Sequence, residues 1–147
     1  VSTNQIDALV APPAVGLQLE GEKHGRLLLK TFDIGADFLG EAIYASDKLI
    51  DDHPDAIRRL LKAWFENMSW MRTHKAEVVE MMRSYTHFSP EIESQEYDLV
   101  MPIFSHDGRF HPAALKTLQQ SFVDMGTIDH APDMSKLYTE AFLPAEK

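Results

Sequence analysis

Seven histidines, 23 acidic residues and no cysteine bound the chemistry that this 147-residue chain can attempt. The densest group of potential metal ligands is His106, Asp107 and His111, whose His-Asp-x-x-x-His spacing offers zinc two imidazoles and a carboxylate. That spacing does not put two histidines on one helical face, and Gly108 and Pro112 place the group in a loop. The cluster therefore reads as solvated, with His111 standing where Ser or Asp would cap a helix. Ser46, with a His and an Asp elsewhere, has the composition of a hydrolase triad but not the Gly-x-Ser-x-Gly setting that exposes a nucleophile on a sharp turn. It reads instead as a helix N-cap. Glu41, next to Gly40, either touches a ligand or is a solvated carboxylate at a strand end.

Without cysteine there is no disulfide framework, no thiol nucleophile and no thiolate metal site. The sequence also has no Gly-rich phosphate loop, no dinucleotide fingerprint and no paired catalytic carboxylates. No cofactor and no metal are expected, and no enzyme signature is seen. The formal charge of −9, with no Lys/Arg-rich run, disfavours nucleic acid as a partner because such a surface repels phosphate backbones. The longest mostly apolar run, residues 8–19, contains Pro12 and Pro13 and is too short to cross a bilayer.

The elements that would position these residues follow from apolar spacing and punctuation. Residues 5–10 have the short apolar character of a buried strand, ended by Pro12 and Pro13. A short helix is expected over 14–20. A second strand is expected over 26–30, where Leu27, Leu28 and Leu29 sit in a row as in a strand covered on both faces. After a loop over 33–39, a third strand is expected over 41–45, then a helix over 47–50 capped by Ser46.

Asp52 is the next expected cap. Beyond it Ile57, Leu60, Leu61, Trp64, Met68 and Met71 recur at helical spacing, which predicts a long helix with Trp64 in its core face and Trp70 off that face. Further helices are predicted over 75–84, over 90–104 with Ser89 as cap and Pro102 distorting the last turn, and from Pro112 to a stop at Gly126. Asp107 and Gly108 form a turn signal. A last helix is expected over about 133–142.

Three segments follow one another in a telling order: DALVAPPAVGLQLE at 7–20, GEAIYASDKLI at 40–50 and HPDAIRRLLKAWFENMSWMRTHK at 53–75. That order resembles the second half of the periplasmic substrate-binding proteins of nitrate, sulfonate and taurine type ABC importers. Gln5, Ile6, Asp7, Ala8, Pro12 and Pro13 look like the family's strand and proline-bearing turn. Residues 41–50 and 53–75 are similar to its return through a strand, a Ser-x-x-x-Ile segment and a long helix, and PDMSKLYTEAFLP at 132–144 is similar to its terminal helix.

The resemblance implies an α/β fold, a helix-dominated part of the type 2 periplasmic-binding-protein fold with about three short strands followed by C-terminal helices. It implies that residues 1–38 are a remnant of the second lobe, that 39–147 are the crossover strand and the helices returning to the first lobe, and that the N-terminal half of the fold precedes Val1. Ala11, Pro12, Pro13 and Val15 would face ligand from one lobe, and Leu39, Gly40 and Glu41 would sit near the hinge. The alternative for the prolines is that they only end a strand.

The function implied is that of a periplasmic or otherwise extracytoplasmic solute receptor. It would close a cleft on a small molecule without covalent chemistry and dock on a membrane permease and ATPase complex. An enzyme of the related pyrimidine-precursor synthase type and a helical protein-interaction domain using its Trp and Met surfaces are the alternatives. Strands without their native neighbours would also favour self-association by edge pairing.

Overall fold

A computed structural model describes residues 5–30, 33 and 37–145. Among the described residues there are six α-helices: α1 (Pro13–Gly21), α2 (Asp47–Asp52), α3 (Pro54–Thr73), α4 (Lys75–Thr86), α5 (Pro90–Val100) and α6 (Pro112–Asp124). Single 3₁₀ turns follow at Met101–Ile103 and Met134–Lys136. No helix among the described residues is long and apolar enough to cross a membrane.

The helix starts follow from local chemistry. Ser46 and Ser89 each accept a backbone N–H three residues on, from Leu49 at 3.2 Å and from Ile92 at 3.3 Å, and so satisfy one of the orphan donors of a first turn. Pro13, Pro90 and Pro112 open their helices at the position where a missing N–H costs nothing. Asp52 is not a cap: it ends α2, where its carboxylate pairs with Lys48 one turn earlier. α4 closes on His87, which adopts a left-handed φ of 64°. Pro102 converts the end of α5 to a 3₁₀ turn.

The expected α/β class is overturned, because no strand forms among the described residues. Residues 5–10, 26–30 and 41–45 are neither helix nor strand. Leu27, Leu28 and Leu29 are exposed by 44%, 71% and 61%, so the run read as a strand covered on both faces is not buried. A strand needs a partner ladder to exist, and an apolar run cannot supply one by itself. The last helix expected over 133–142 is also replaced, by one 3₁₀ turn and then irregular chain.

The chain divides into two compact units. One comprises Val1–Asp33 and Met68–Phe104 and holds α1, the last turn of α3, α4 and α5. Its core is Met68, Val78, Tyr97 and Met101, with Met71, Val79, Met82 and Phe104 packed against them. Four of these eight are methionines, whose unbranched side chains fill irregular gaps between short helices. At the end of α3 the Arg72 guanidinium donates to the Phe104 carbonyl at 2.9 Å.

The other unit comprises Ile34–Asn67 and Ser105–Lys147 and holds α2, most of α3 and α6. Its buried apolar residues are Ile57, Ala114 and Leu115. The stripe predicted for α3 is only partly covered: Ile57 and Met68 are buried, whereas Leu60 and Trp64 remain exposed by 55% and 43%. Within this unit the carboxylate of Glu140 fixes the 107–110 loop. It accepts the Phe110 N–H at 2.8 Å and the Arg109 guanidinium at 3.1 Å, while the Phe110 and Tyr138 rings pack 4.5 Å apart.

Candidate functional site

A concave surface with a mainly apolar lining lies in the first unit. It is an open groove of about 310 Å³ lined by Leu17 of α1, Leu27 and Lys30 of the following segment, and Gln95, Asp98 and Leu99 of α5. The groove exists because α1 packs on α5. That packing is fixed at one end by the carboxylate of Glu96, which accepts the Ala14 N–H at 3.1 Å. At the other, Glu20 at the end of α1 accepts the Leu27 N–H at 3.3 Å, turning the chain back over the helix.

The polar groups around the groove are largely engaged. Both oxygens of Asp98 accept from the Lys75 ammonium at 2.7 Å, and that ammonium also lies 5.5 Å from the centre of the Tyr97 ring. Apolar walls from Leu17, Leu27 and Leu99, with Lys30, Asp98 and Gln95 at the rim, suit an apolar body carrying a polar end. None of the six lining residues forms a nucleophile and base pair.

Ala11, Pro12, Pro13 and Val15, expected to face ligand, lie at and before the start of α1 in this same unit. Ala11 and Pro12 are exposed, and Pro13 and Val15 are half-buried. Most backbone donors at this turn are occupied or missing. The prolines have none, Ala14 donates to Glu96, and Val15 donates to the Pro12 carbonyl at 3.1 Å. None of the four lines the groove, whose first wall residue on α1, Leu17, comes two positions after Val15.

Leu39, Gly40 and Glu41 belong to the other unit, in irregular chain before α2; Leu39 is half-buried and Gly40 and Glu41 are exposed. A methyl group at Gly40 would meet nothing within 4 Å.

His106, Asp107 and His111 lie in the loop that the sequence assigned to them. Asp107 accepts the Arg109 N–H at 2.9 Å and the Ser105 hydroxyl at 3.2 Å, and these turn contacts account for its position. Among the described residues no group of three or more His, Asp or Glu is placed to hold a metal ion. His111 precedes α6 without a side-chain capping bond.

Two features lay outside sequence reasoning. Glu93 of α5 is fully buried, and Glu96 closes the N-terminus of a helix 82 residues earlier in the chain. The first had a signal: Glu93, Tyr97 and Met101 are four apart, so an acid stands in the apolar stripe of its helix. The second had none, because a carboxylate that caps from another helix leaves no local pattern.

No family model, no curated protein and no solved structure matches the chain.

Proposed function

We propose that the chain is part of the solute-binding component of an ABC importer of the nitrate, sulfonate and taurine type. Such a component holds a small molecule by cleft closure, without covalent chemistry, and delivers it to a permease and ATPase complex from the extracytoplasmic side. The observation that carries this reading is the order of segments: the proline-bearing turn at Pro12 and Pro13, the Ser46-x-x-x-Ile50 segment and the long helix opened by His53-Pro54-Asp55. Support comes from the last two, which are a Ser46-capped helix followed directly by the 20-residue α3. The reading concerns function alone, since the fold of this chain is helical. Ala11, Pro12, Pro13, Val15, Leu39, Gly40 and Glu41 are the residues proposed to touch ligand.

The test is a thermal-shift screen of the complete gene product against nitrate, alkanesulfonates and pyrimidines. A concentration-dependent rise in midpoint with one of these classes, and permease and ATPase genes beside its own, are the expected results. A flat response to all of them removes the reading.

One observation favours a second reading, a helical protein-interaction domain: Trp64, Met81 and Met125 are exposed by 43%, 55% and 68%. Capture of a defined protein partner, lost on Trp64→Ala, would support it.

A further inference from the structure

Seven methionines carry all the sulfur of this cysteine-free chain, and they are placed unequally. Met68, Met71, Met82 and Met101 are four of the eight residues that build the core of the first unit, and none of the other four is leucine or isoleucine. In the second unit the buried apolar residues are Ile57, Ala114 and Leu115, with no thioether among them. Exposure ranks the thioethers for reaction. Met81 and Met125 are exposed by 55% and 68%, Met71 and Met82 are half-buried against the core, and Met68 and Met101 are buried within it at 3% and 7%.

We infer that the core of the first unit is a reversible peroxide switch, in which oxidation of Met71 and Met82 to their sulfoxides frees α4 and α5 from the last turn of α3 and leaves the second unit folded. In each step the O–O bond of hydrogen peroxide breaks. One oxygen bonds to the sulfur, which gives up two electrons, and the other leaves as water with both protons. The product carries a polar oxygen that only accepts hydrogen bonds, where a thioether was packed. Val78, Val79 and Phe104, which share this core, have no side-chain donor, and the Tyr97 hydroxyl gives its single hydrogen to the Met71 carbonyl at 2.5 Å. An acceptor buried without a donor is costly, so the core opens and Met68 and Met101 become accessible to the same reaction. Met71 also holds Tyr97 through its carbonyl, so its displacement breaks the bond that ties α5 to α3. At Met81 and Met125 the added oxygen meets solvent and leaves both cores intact.

The test exposes the intact chain to graded hydrogen peroxide, follows each methionine by peptide mass spectrometry and follows each helix by hydrogen exchange. Met81 and Met125 should gain oxygen first, with exchange unchanged. Exchange in α4 and α5 should then quicken at least about tenfold as Met71 and Met82 are oxidised, while α6 stays within about twofold of its starting rates. The two methionine sulfoxide reductases, one for each sulfoxide epimer, with dithiothreitol should restore the original rates. Met71→Leu/Met82→Leu keeps the core volume and should need about tenfold more peroxide for the same change, whereas Met81→Leu/Met125→Leu should need no more than the unaltered chain. Where circular dichroism shows that a variant has lost helix, the order of events in the unaltered chain decides. Quickening of α4 and α5 before Met71 or Met82 is oxidised, full oxidation of both without quickening, or equal quickening in α6 overturns the inference. So does an unshifted peroxide dose in folded Met71→Leu/Met82→Leu, or exchange that stays fast after reduction.

Discussion

The Tyr97 hydroxyl donates to the carbonyl of Met71 at 2.5 Å, joining α5 to the last turn of α3. Met71 is among the last four residues of α3, whose carbonyls have no intrahelical partner, and its carbonyl also accepts the His74 N–H at 3.4 Å. Tyr97→Phe keeps the ring in the core but removes the hydroxyl's bond to that carbonyl. The expected loss is about 1–2 kcal/mol, read as a lower urea midpoint with unchanged slope. An unaltered midpoint would show that water replaces the hydroxyl.

Glu93 is buried with one oxygen against the Thr86 hydroxyl and the other, Oε2, without a partner among the described residues. A buried carboxylate lacking a cation is costly. The Thr86 hydroxyl also lies 3.1 Å from the Met82 carbonyl and accepts the Phe88 N–H at 3.3 Å, so it stays satisfied without Glu93. Glu93→Met, which fills the same volume with apolar atoms, should therefore leave stability at pH 7 unchanged or raise it by about 1–3 kcal/mol. A drop of more than about 1 kcal/mol in chemical denaturation would mean that the acid has a partner essential to the fold.

Gly108 turns the chain before α6 with φ of 77°, a conformation that L side chains rarely adopt. A Cβ there would stand 2.5 Å from Phe65 Cζ and 2.9 Å from Leu143 Cδ2, so Gly108→Ala combines backbone strain with overpacking. We expect it to cost about 2–4 kcal/mol and to lower the thermal midpoint by several degrees. Gly40→Ala, placed in open space, is the matched control and should move the midpoint by less than about a degree.

Three carboxyls are held below their ordinary range. The Arg109 N–H acts on Asp107, the Ser135 hydroxyl and then its N–H act on Asp133, and the first-turn N–H of α5, with the Ser89 side chain, acts on Glu91. Because these groups release protons more readily when folded, their stabilisation is complete at neutral pH. It persists above the ordinary aspartate value of 3.8 and is lost as pH falls below that towards the depressed folded values. Stability measured by denaturant between pH 6 and pH 3 should thus decline most steeply at the acid end, and Asp107→Asn should flatten that limb. The limb keeping its slope in Asp107→Asn would assign it to other carboxyls.

Helix starts were legible because their signals are local. Ser46 and Ser89 announce caps, and Pro90 and Pro112 sit where proline costs least, whereas Pro13, read as the end of a strand, opens α1. The missing strands show the opposite case. Leu27, Leu28 and Leu29 are apolar enough for a buried strand, but burial belongs to the neighbour and not to the run. Periodicity likewise found α3 without telling what would cover Leu60 and Trp64. The expected helix over 133–142 lost to tertiary demand, since Glu140 and Tyr138 hold Arg109 and Phe110 instead. The groove depends on α5 meeting α1 and could not be read from either helix alone, and none of Ala11, Pro12, Pro13 and Val15 lines it.

The bond from Glu96 to Ala14 has a consequence for any anion that arrives at the Pro12–Pro13 turn. The berth there already holds a tethered carboxylate, whose effective concentration is on the order of millimolar or higher. A nitrate or sulfonate guest would have to evict this resident, so weak visitors are screened out unless the α1–α5 junction loosens.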